Sequence, residues 1–124
     1  MAKWANDLFM DAAHDWVDQS TSMIACSAQP TTYTEATVTY ALSDATMTAD
    51  TDYTKANGDT SGRKVTVAAK PTITVDTSGT ATHIALVRVA DTTLRYVTTC
   101  TSQALTAGNT VSFPAWDIEV ADPA

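Results

Sequence analysis

The pattern of apolar positions changes its period once along the chain. Near the N-terminus, apolar side chains recur every four residues, at Trp4, Leu8, Ala12 and Trp16, with Phe9 beside them. This spacing predicts an amphipathic helix over residues 1–19. Four aspartates lie on the other side of the same helix, at Asp7, Asp11, Asp15 and Asp18. Because like charges four residues apart weaken an isolated helix, we expect this helix to pack against its own sheet or against a neighbouring subunit.

From residue 22 onward the period is two, which is typical of β-strands. Strands are expected at residues 23–27, 37–42, 64–69, 72–75, 81–90, 93–101 and 110–120. Residues 43–62 are rich in Asp, Asn, Gly and Ser and are expected to form a long loop with one short strand at 53–55. Pro114 predicts that the last strand is bent or lies at a sheet edge. We predict a mainly β fold, an antiparallel β-sandwich or small barrel over residues 22–120 behind an N-terminal amphipathic helix.

Composition supports the β prediction and a single domain. The chain has 124 residues, which is the usual size of one domain, and residues 1–124 show neither a repeat nor a domain boundary. Only 17% of the residues are charged, whereas 24 threonines and 21 alanines are spread along the chain. Thr is β-branched and favours a pleated, half-exposed strand, so we expect the solvent face of the sheets to be mostly uncharged.

Charge argues against several classes of partner. The formal net charge is −7, and the seven Lys and Arg residues are scattered instead of forming a basic stripe. Binding to nucleic acid needs clustered cations that release counterions, so we expect no nucleic-acid partner. A membrane span needs about 18 apolar residues, and no apolar run in the sequence approaches that length. The first 17 residues do not resemble a secretory signal. We therefore expect a soluble protein made in the cytoplasm, with no membrane partner.

Residues that could carry chemistry are few. An active site usually needs a nucleophile with a base, a carboxylate pair or a metal cluster, and His14 and His83 are the only histidines. We expect His14 to be solvated on the acidic side of the helix and His83 to be structural. The aspartates within residues 43–62 do not have the spacing of a calcium-binding loop. The sequence therefore predicts no catalytic, metal or cofactor site, and we expect no enzyme activity.

The two cysteines are far apart in the sequence. Cys26 and Cys100 belong to no CxxC motif or Cys/His cluster, so metal binding has little support. We expect two buried, reduced thiols, as is usual for a protein of the cytoplasm. A disulfide between strands, formed in an oxidising medium, stays open as the alternative.

Aromatic residues gather near both ends of the chain and predict an interface. Exposed aromatic side chains often mark contacts between proteins. The candidate interface consists of Trp4, Leu8, Phe9, Trp16, Phe113 and Trp116. A domain of this size has difficulty covering so much aromatic surface, so we predict a homo-oligomer. We also expect the helix to serve attachment more than the folding of the β domain.

Four segments carry a resemblance to a known class of protein. They are the opening helix with Trp4 and Trp16, and the stretches NGDTSGRKVTVAAK, SGTATHIALVRVADTTLRYVTT and LTAGNTVSFPAWDIEVADP. Together they resemble small β-rich virion proteins of tailed bacteriophages. The resemblance covers most of the chain but includes no functional motif, so it transfers no functional residues.

The resemblance implies a structural protein of the virion that is assembled in the host cytoplasm. Within that class it implies a capsid decoration (cement) or minor capsid protein, which binds the major capsid protein and stabilises the shell. A small tail component is the alternative. A decoration protein of this kind is expected to be a trimer.

The residues alone also allow a second function of a different class. β-Sandwiches with exposed aromatic side chains are suited to binding carbohydrates or cell receptors. The candidate stacking residues for such a module are Trp116, Tyr33, Tyr40 and Tyr53.

Overall fold

A computed structural model describes residues 7–59 and 61–120, with side chains from Asp11 onward. Helix α1 spans Asp7–Asp18, which confirms the predicted helix over that part of residues 1–19. Trp4 lies outside the described residues, and so do the side chains of Leu8 and Phe9. These three members of the candidate interface therefore stay predictions.

The described part of the chain is mainly β, as predicted. The strands are β1 Ser22–Cys26, β2 Ala41–Thr46, β3 Tyr53–Asn57, β4 Arg63–Val67, β5 Lys70–Thr74, β6 Gly79–Arg88, β7 Thr93–Leu105, β8 Thr110–Phe113 and β9 Trp116–Val120. All of their pairings are antiparallel. A π-helical segment, Glu35–Thr39, lies between β1 and β2.

The strands form three sheets in a sandwich-like arrangement. One sheet has the order β2-β1-β6-β7, the second β3-β4-β9 and the third β5-β8. The second and third sheets form one long, bent ladder, because Val67 pairs with Trp116 and Lys70 pairs with Phe113. The bend falls at residues 68–69 and 114–115. Pro114 lies in it, which confirms the bend predicted there, since proline cannot donate a ladder hydrogen bond.

The four-stranded sheet is buried on both faces along β1, so every residue of that strand is buried. Met23 and Ala25 face the main core between the sheets. Ile24 and Cys26 face a smaller apolar cluster on the outer side, where Ala36 of the π-helical segment packs. Burial on both faces explains why β1 reads as a continuous apolar run instead of an alternating one.

The predicted strand at residues 37–42 is wrong over most of its length. Residues 35–39 are π-helical, and β2 begins only at Ala41. The period of two at Val38, Tyr40 and Leu42 did not reflect burial, because the Val38 side chain is 71% exposed. Local hydrogen bonds hold the turn instead: the Thr37 hydroxyl donates to the Tyr33 carbonyl at 2.8 Å. Side chains of this kind offer the backbone an alternative to a strand ladder.

The predicted long loop at residues 43–62 is partly ordered into strands. β2 continues to Thr46, and β3 at Tyr53–Asn57 confirms the short strand expected inside the loop. A turn between Thr46 and Tyr53 is tightened by the Asp52 carboxylate, which accepts a hydrogen bond from the Thr48 backbone N–H at 2.6 Å. Asp and Asn residues therefore mark the turns here and not a structureless segment.

Candidate functional site

Helix α1 lies with its polar side inward, against β3, β4 and β7. His14, Val17 and Asp18 are buried, and Asp11 is half-buried. The expectation that the acidic side faces solvent is therefore wrong for Asp11 and Asp18, whereas Asp15 is exposed. Two cations of the sheet beneath the helix explain the orientation, because they attract the carboxylates that would otherwise repel one another.

Ion pairs from α1 to the second sheet neutralise the helix aspartates. The Arg63 guanidinium on β4 holds Asp11 with two hydrogen bonds, of 3.0 Å from Nε and 3.3 Å from Nη2. Lys55 on β3 contacts Asp15, and its Nζ lies 3.3 Å from Asp18 Oδ2. The like charges four residues apart thus become attachment points, and they stabilise the helix only in its docked position.

The His14 side chain lies on the buried side of α1 and not on its solvated side. Its side chain is 1% exposed, so the sequence expectation for this residue is also wrong. Neither ring nitrogen has a hydrogen-bond partner among residues 7–59 and 61–120, and Nδ1 lies 3.9 Å from Asp11 Oδ1. Burial lowers the pKa of His14, although Asp11 opposes the shift. The imidazole is therefore neutral at pH 7.

Asp18 is the second buried titratable group of this helix. Burial, together with repulsion from Asp50 and Asp11, raises the pKa of Asp18 to about 6. Its Oδ1 atom has no hydrogen-bond partner in the part of the chain that the structure describes. The carboxylate is thus destabilising when ionised, and Lys55 offsets only part of that cost.

The outward side of α1 carries three exposed apolar residues beside the exposed Asp15. Ala12, Ala13 and Trp16 are exposed, and Trp16 is 47% exposed. The Arg95 guanidinium from β7 lies 4.2 Å from the Trp16 ring centroid and donates a hydrogen bond to the Trp16 carbonyl at 2.8 Å. A cation at this distance is attracted to the ring face. Arg95 therefore holds the ring against the edge of the sheet while leaving half of it open to solvent.

The two candidate interface residues near the C-terminus are not comparably exposed. Phe113 is 4% exposed in the main core, so its proposed interface position is wrong. Trp116 is half-buried and stacks on Tyr96, with 5.9 Å between the ring centroids and 29° between the planes. Its Nε1–H donates to the Met23 thioether sulfur at 3.4 Å. The β9 strand brings Trp116 inward, because it closes the bent ladder over the core.

The aromatic residues considered for carbohydrate stacking are also used internally. Tyr53 is buried, and its hydroxyl donates to the Ser20 carbonyl at 3.0 Å. Tyr33 and Tyr40 pack half-buried against the smaller apolar cluster. A stacking platform needs an open ring face, and the structure does not bring these residues together into one.

The remaining chemistry-bearing groups form no shared centre. His83 is half-buried, with Nδ1 2.8 Å from the Thr82 hydroxyl. Within the described ranges 7–59 and 61–120, no three His, Cys, Asp or Glu side chains are placed to hold a metal ion. The helices in those ranges are all too short or too polar to cross a membrane.

The cysteines are free thiols in different environments. Cys26 is fully buried in the smaller cluster, and burial raises its pKa to about 12. Cys100 is only half-buried, at the margin of the main core, and burial raises its pKa less. The expectation of a buried thiol is thus confirmed for Cys26 but not for Cys100. The pair flanks opposite faces of the four-stranded sheet, which does not favour the disulfide alternative.

Cys100 is expected to react with a thiol reagent well before Cys26. The thiolate is the reactive species, so we expect labelling of Cys100 to be at least about tenfold faster in the native protein. Mass spectrometry of peptides from a time course would measure both rates. In denaturant the two rates should converge. Equal rates in the native state would contradict the burial of Cys26.

An apolar cleft that the sequence did not predict opens between β7 and β8. It has a volume of about 200 Å³. The lining includes Cys100, Gln103 and Leu105 on one side and Val111 and Phe113 on the other. The signal that could have revealed it is the absence of any charged residue from position 96 to position 116. We refer to it as the β7–β8 cleft.

Comparisons with protein-family models, with curated protein sequences and with solved structures gave no match in any of the three.

Proposed function

We propose that this chain is a structural protein of a tailed-phage virion, a capsid decoration or minor capsid protein that binds the major capsid protein. The resemblance of its segments to small β-rich virion proteins supports the class. The fold agrees with that class in general terms, since it is a compact β domain with one helix. The proposed role is to attach to the assembled shell and stabilise it.

The orientation of α1 is the observation that carries the attachment step. Ion pairs from Asp11 and Asp18 bind the helix to its own sheet, and Ala12, Ala13 and Trp16 remain exposed. In most surface helices the apolar stripe faces the core. Here ion pairs and the buried Val17 hold the helix in place, so Trp16 is available to a partner. Trp is enriched among the residues that dominate binding energy at interfaces.

The acidic net charge of −7 fits the same proposal. An acidic protein is steered toward a basic surface, and the aspartates of α1 that would otherwise strengthen this field are paired with Lys55 and Arg63. We therefore expect the contact at Trp16 to be mainly apolar, with long-range attraction supplied by the rest of the surface.

Trp16→Ala is expected to weaken attachment without unfolding the protein. The ring is half-exposed, so its loss removes mainly the Arg95 contact, which contributes about 0.5–1 kcal/mol. Loss of an interface tryptophan typically costs about 2 kcal/mol or more, which weakens binding about 30-fold. Co-sedimentation with shells of the phage that encodes the chain would measure binding, and thermal melting would measure stability.

Val38→Ala is the matched control. Val38 is an exposed apolar residue of the π-helical segment, away from α1, and its truncation should change neither measurement. If the unaltered protein does not sediment with shells, the virion role is refuted. If Trp16→Ala binds shells as tightly as Val38→Ala does, the role can stand but α1 is not the attachment element.

A further inference from the structure

A groove lies on the outer side of the four-stranded sheet, beside the π-helical segment. It has a volume of about 240 Å³. Its apolar lining includes Ile24 of β1, Val87 of β6 and the half-buried Tyr33. Its polar lining consists of Ser22 of β1, Thr37 of the π-helical segment and Asp44 of β2. We refer to it as the outer groove.

The wall that the π-helical segment forms is held by local hydrogen bonds. The Glu35 carboxylate accepts one from the Thr31 backbone N–H at 2.9 Å and one from the Thr31 hydroxyl at 2.7 Å. The Thr37 hydroxyl donates to the Tyr33 carbonyl, so its oxygen can still accept a hydrogen bond. π-Helical turns occur frequently at functional sites. The outer groove is thus preformed between a sheet and a fixed turn.

Ser22 contributes a hydroxyl that the fold does not use. The residue is 9% exposed, and it lies on the same face of β1 as Ile24, two residues further along the strand. Among residues 7–59 and 61–120 its hydroxyl has no hydrogen-bond partner. Buried polar groups normally have a partner, because leaving one unpaired is costly. The hydroxyl therefore points to a ligand atom in the outer groove.

Asp44 supplies the charge of the outer groove. The other described residues that line it are uncharged. A second carboxyl group, that of Asp76, lies beside Asp44. Burial, together with a hydrogen bond to Asp76 and repulsion from it, raises the pKa of Asp44. The electrostatic surroundings of Asp44 thus favour a cation, which would offset the repulsion between the two carboxylates.

The chain's own cations do not serve this purpose. Every Lys and Arg within residues 7–59 and 61–120 contacts an aspartate other than Asp44 and Asp76. The pairs are Lys55 with Asp15 and Asp18, Arg63 with Asp11, Lys64 with Asp59 and Asp117, Lys70 with Asp52, and Arg88 and Arg95 with Asp91. The net charge of −7 also attracts basic partners. The charge of the outer groove is therefore complementary to a basic group from another molecule.

We propose that the outer groove binds a lysine side chain of a partner protein. The ammonium group pairs with Asp44, and the Ser22 hydroxyl accepts a further hydrogen bond from it. The aliphatic stem lies on Ile24, Val87 and Tyr33, because lysine stems commonly cover apolar surface while the charged end stays at a polar site. An ammonium is a compact charge that suits one carboxylate beside hydroxyl groups. The site does not involve α1 and does not depend on the virion proposal.

Titration with a blocked lysine, N-acetyl-lysine N-methylamide, tests the site directly. We expect the probe to shift the backbone amide NMR signals of Ser22, Asp44 and Val87 in the unaltered protein. The same compound acetylated on its side-chain amine has no charge and should not bind. Asp44→Asn should weaken binding about tenfold or more, because a hydrogen bond to a charged group is lost. Ser22→Ala should weaken it about threefold.

Asp15→Asn is the matched control for Asp44→Asn. Asp15 is also an exposed aspartate, and its substitution changes the net charge equally, but it lies on α1 and contacts Lys55. We expect this variant to bind the blocked lysine as the unaltered protein does. Three results would each overturn the proposal: no shifts at millimolar probe, equal binding of the charged and neutral probes, or equal binding by the two asparagine variants. If Asp44→Asn fails to fold, the comparison of the two probes on the unaltered protein decides alone.

Discussion

Leu86→Ala is expected to lower the free energy of unfolding by about 2–5 kcal/mol. This is a large part of the total, because the free energy of unfolding of such a domain is about 5–15 kcal/mol. Leu86 is fully buried at the centre of β6, where it pairs with Met23 of β1 and Tyr96 of β7. Truncation leaves a cavity between three strands that cannot collapse around it. Urea unfolding would measure the change, and the melting temperature should fall by about 10 °C or more.

Val89→Ala is the control for Leu86→Ala. Val89 follows β6 directly and its side chain is 53% exposed, so its loss should change the free energy of unfolding by about 0.5 kcal/mol or less. Equal destabilisation by the two variants would contradict the placement of β6 as the central strand of the core. The same comparison applies to Trp16→Ala, which should lower the free energy of unfolding by an amount closer to that of Val89→Ala than to that of Leu86→Ala.

Asp18→Asn is expected to stabilise the protein at pH 7.5. The pKa of Asp18 is about 6 in the folded chain against an ordinary value of 3.8, so the ionised carboxylate is destabilising above pH 6. Each pKa unit corresponds to 1.36 kcal/mol, and because Lys55 loses a partner we expect a net gain of about 1–2 kcal/mol. Urea unfolding at pH 7.5 and at pH 4 would measure it.

The gain from Asp18→Asn should disappear in acid. A raised pKa means that the folded state binds the proton more tightly than the unfolded state, so stability rises as the pH falls through about 6 and the effect is complete below 3.8. The asparagine variant lacks this contribution, so its advantage should vanish near pH 4. Retention of the full advantage at pH 4 would contradict a buried, ionised Asp18.

His14 acts in the opposite direction over the same range. Its pKa is lowered by burial, so the folded state binds the proton less tightly and stability falls as the pH drops below 6.5. In the unaltered protein the two groups therefore oppose each other. In Asp18→Asn the effect of His14 remains alone, and acid should destabilise this variant more steeply.

Asp15→Asn is the matched control for Asp18→Asn. Asp15 also contacts Lys55, but its side chain is 59% exposed. Surface ion pairs contribute about 0–1 kcal/mol, so the variant should be no more stable than the unaltered protein at pH 7.5. A stabilisation equal to that of Asp18→Asn would mean that general charge reduction, and not burial of Asp18, is the cause.

The candidate attachment site could be predicted only in part. The spacing of Leu8, Ala12 and Trp16 predicted a helix with an apolar stripe, and the like charges at Asp11 and Asp15 predicted dependence on packing. The pattern did not indicate which side would face the sheet. The orientation of the helix depends on Arg63 and Lys55, which are more than 35 residues away in the sequence. Ion pairs with these two cations stabilise the orientation in which the acidic side faces the sheet.

Secondary-structure elements that depend mainly on neighbouring residues in the sequence were predicted well. The alternation and flanking turns of β6 and β7, the break at Pro114 and the short strand at Tyr53 follow from backbone preferences that act within a few residues. Val38 shows the limit of that approach. A period of two is typical of a strand only if alternate side chains have a core to face, and Val38 has none.

The sequence by itself thus determined that this chain is a mainly antiparallel β domain with an N-terminal helix, because propensity and periodicity are local properties. Only the tertiary structure decided which surfaces remain open. Burial of Phe113, His14 and Asp18, exposure of Trp16 and the edge position of β7 in its sheet all depend on contacts between distant segments. The exposed area of a side chain is the part of its surface that no neighbouring residue covers. Strand pairing between distant segments determines which residues are its neighbours.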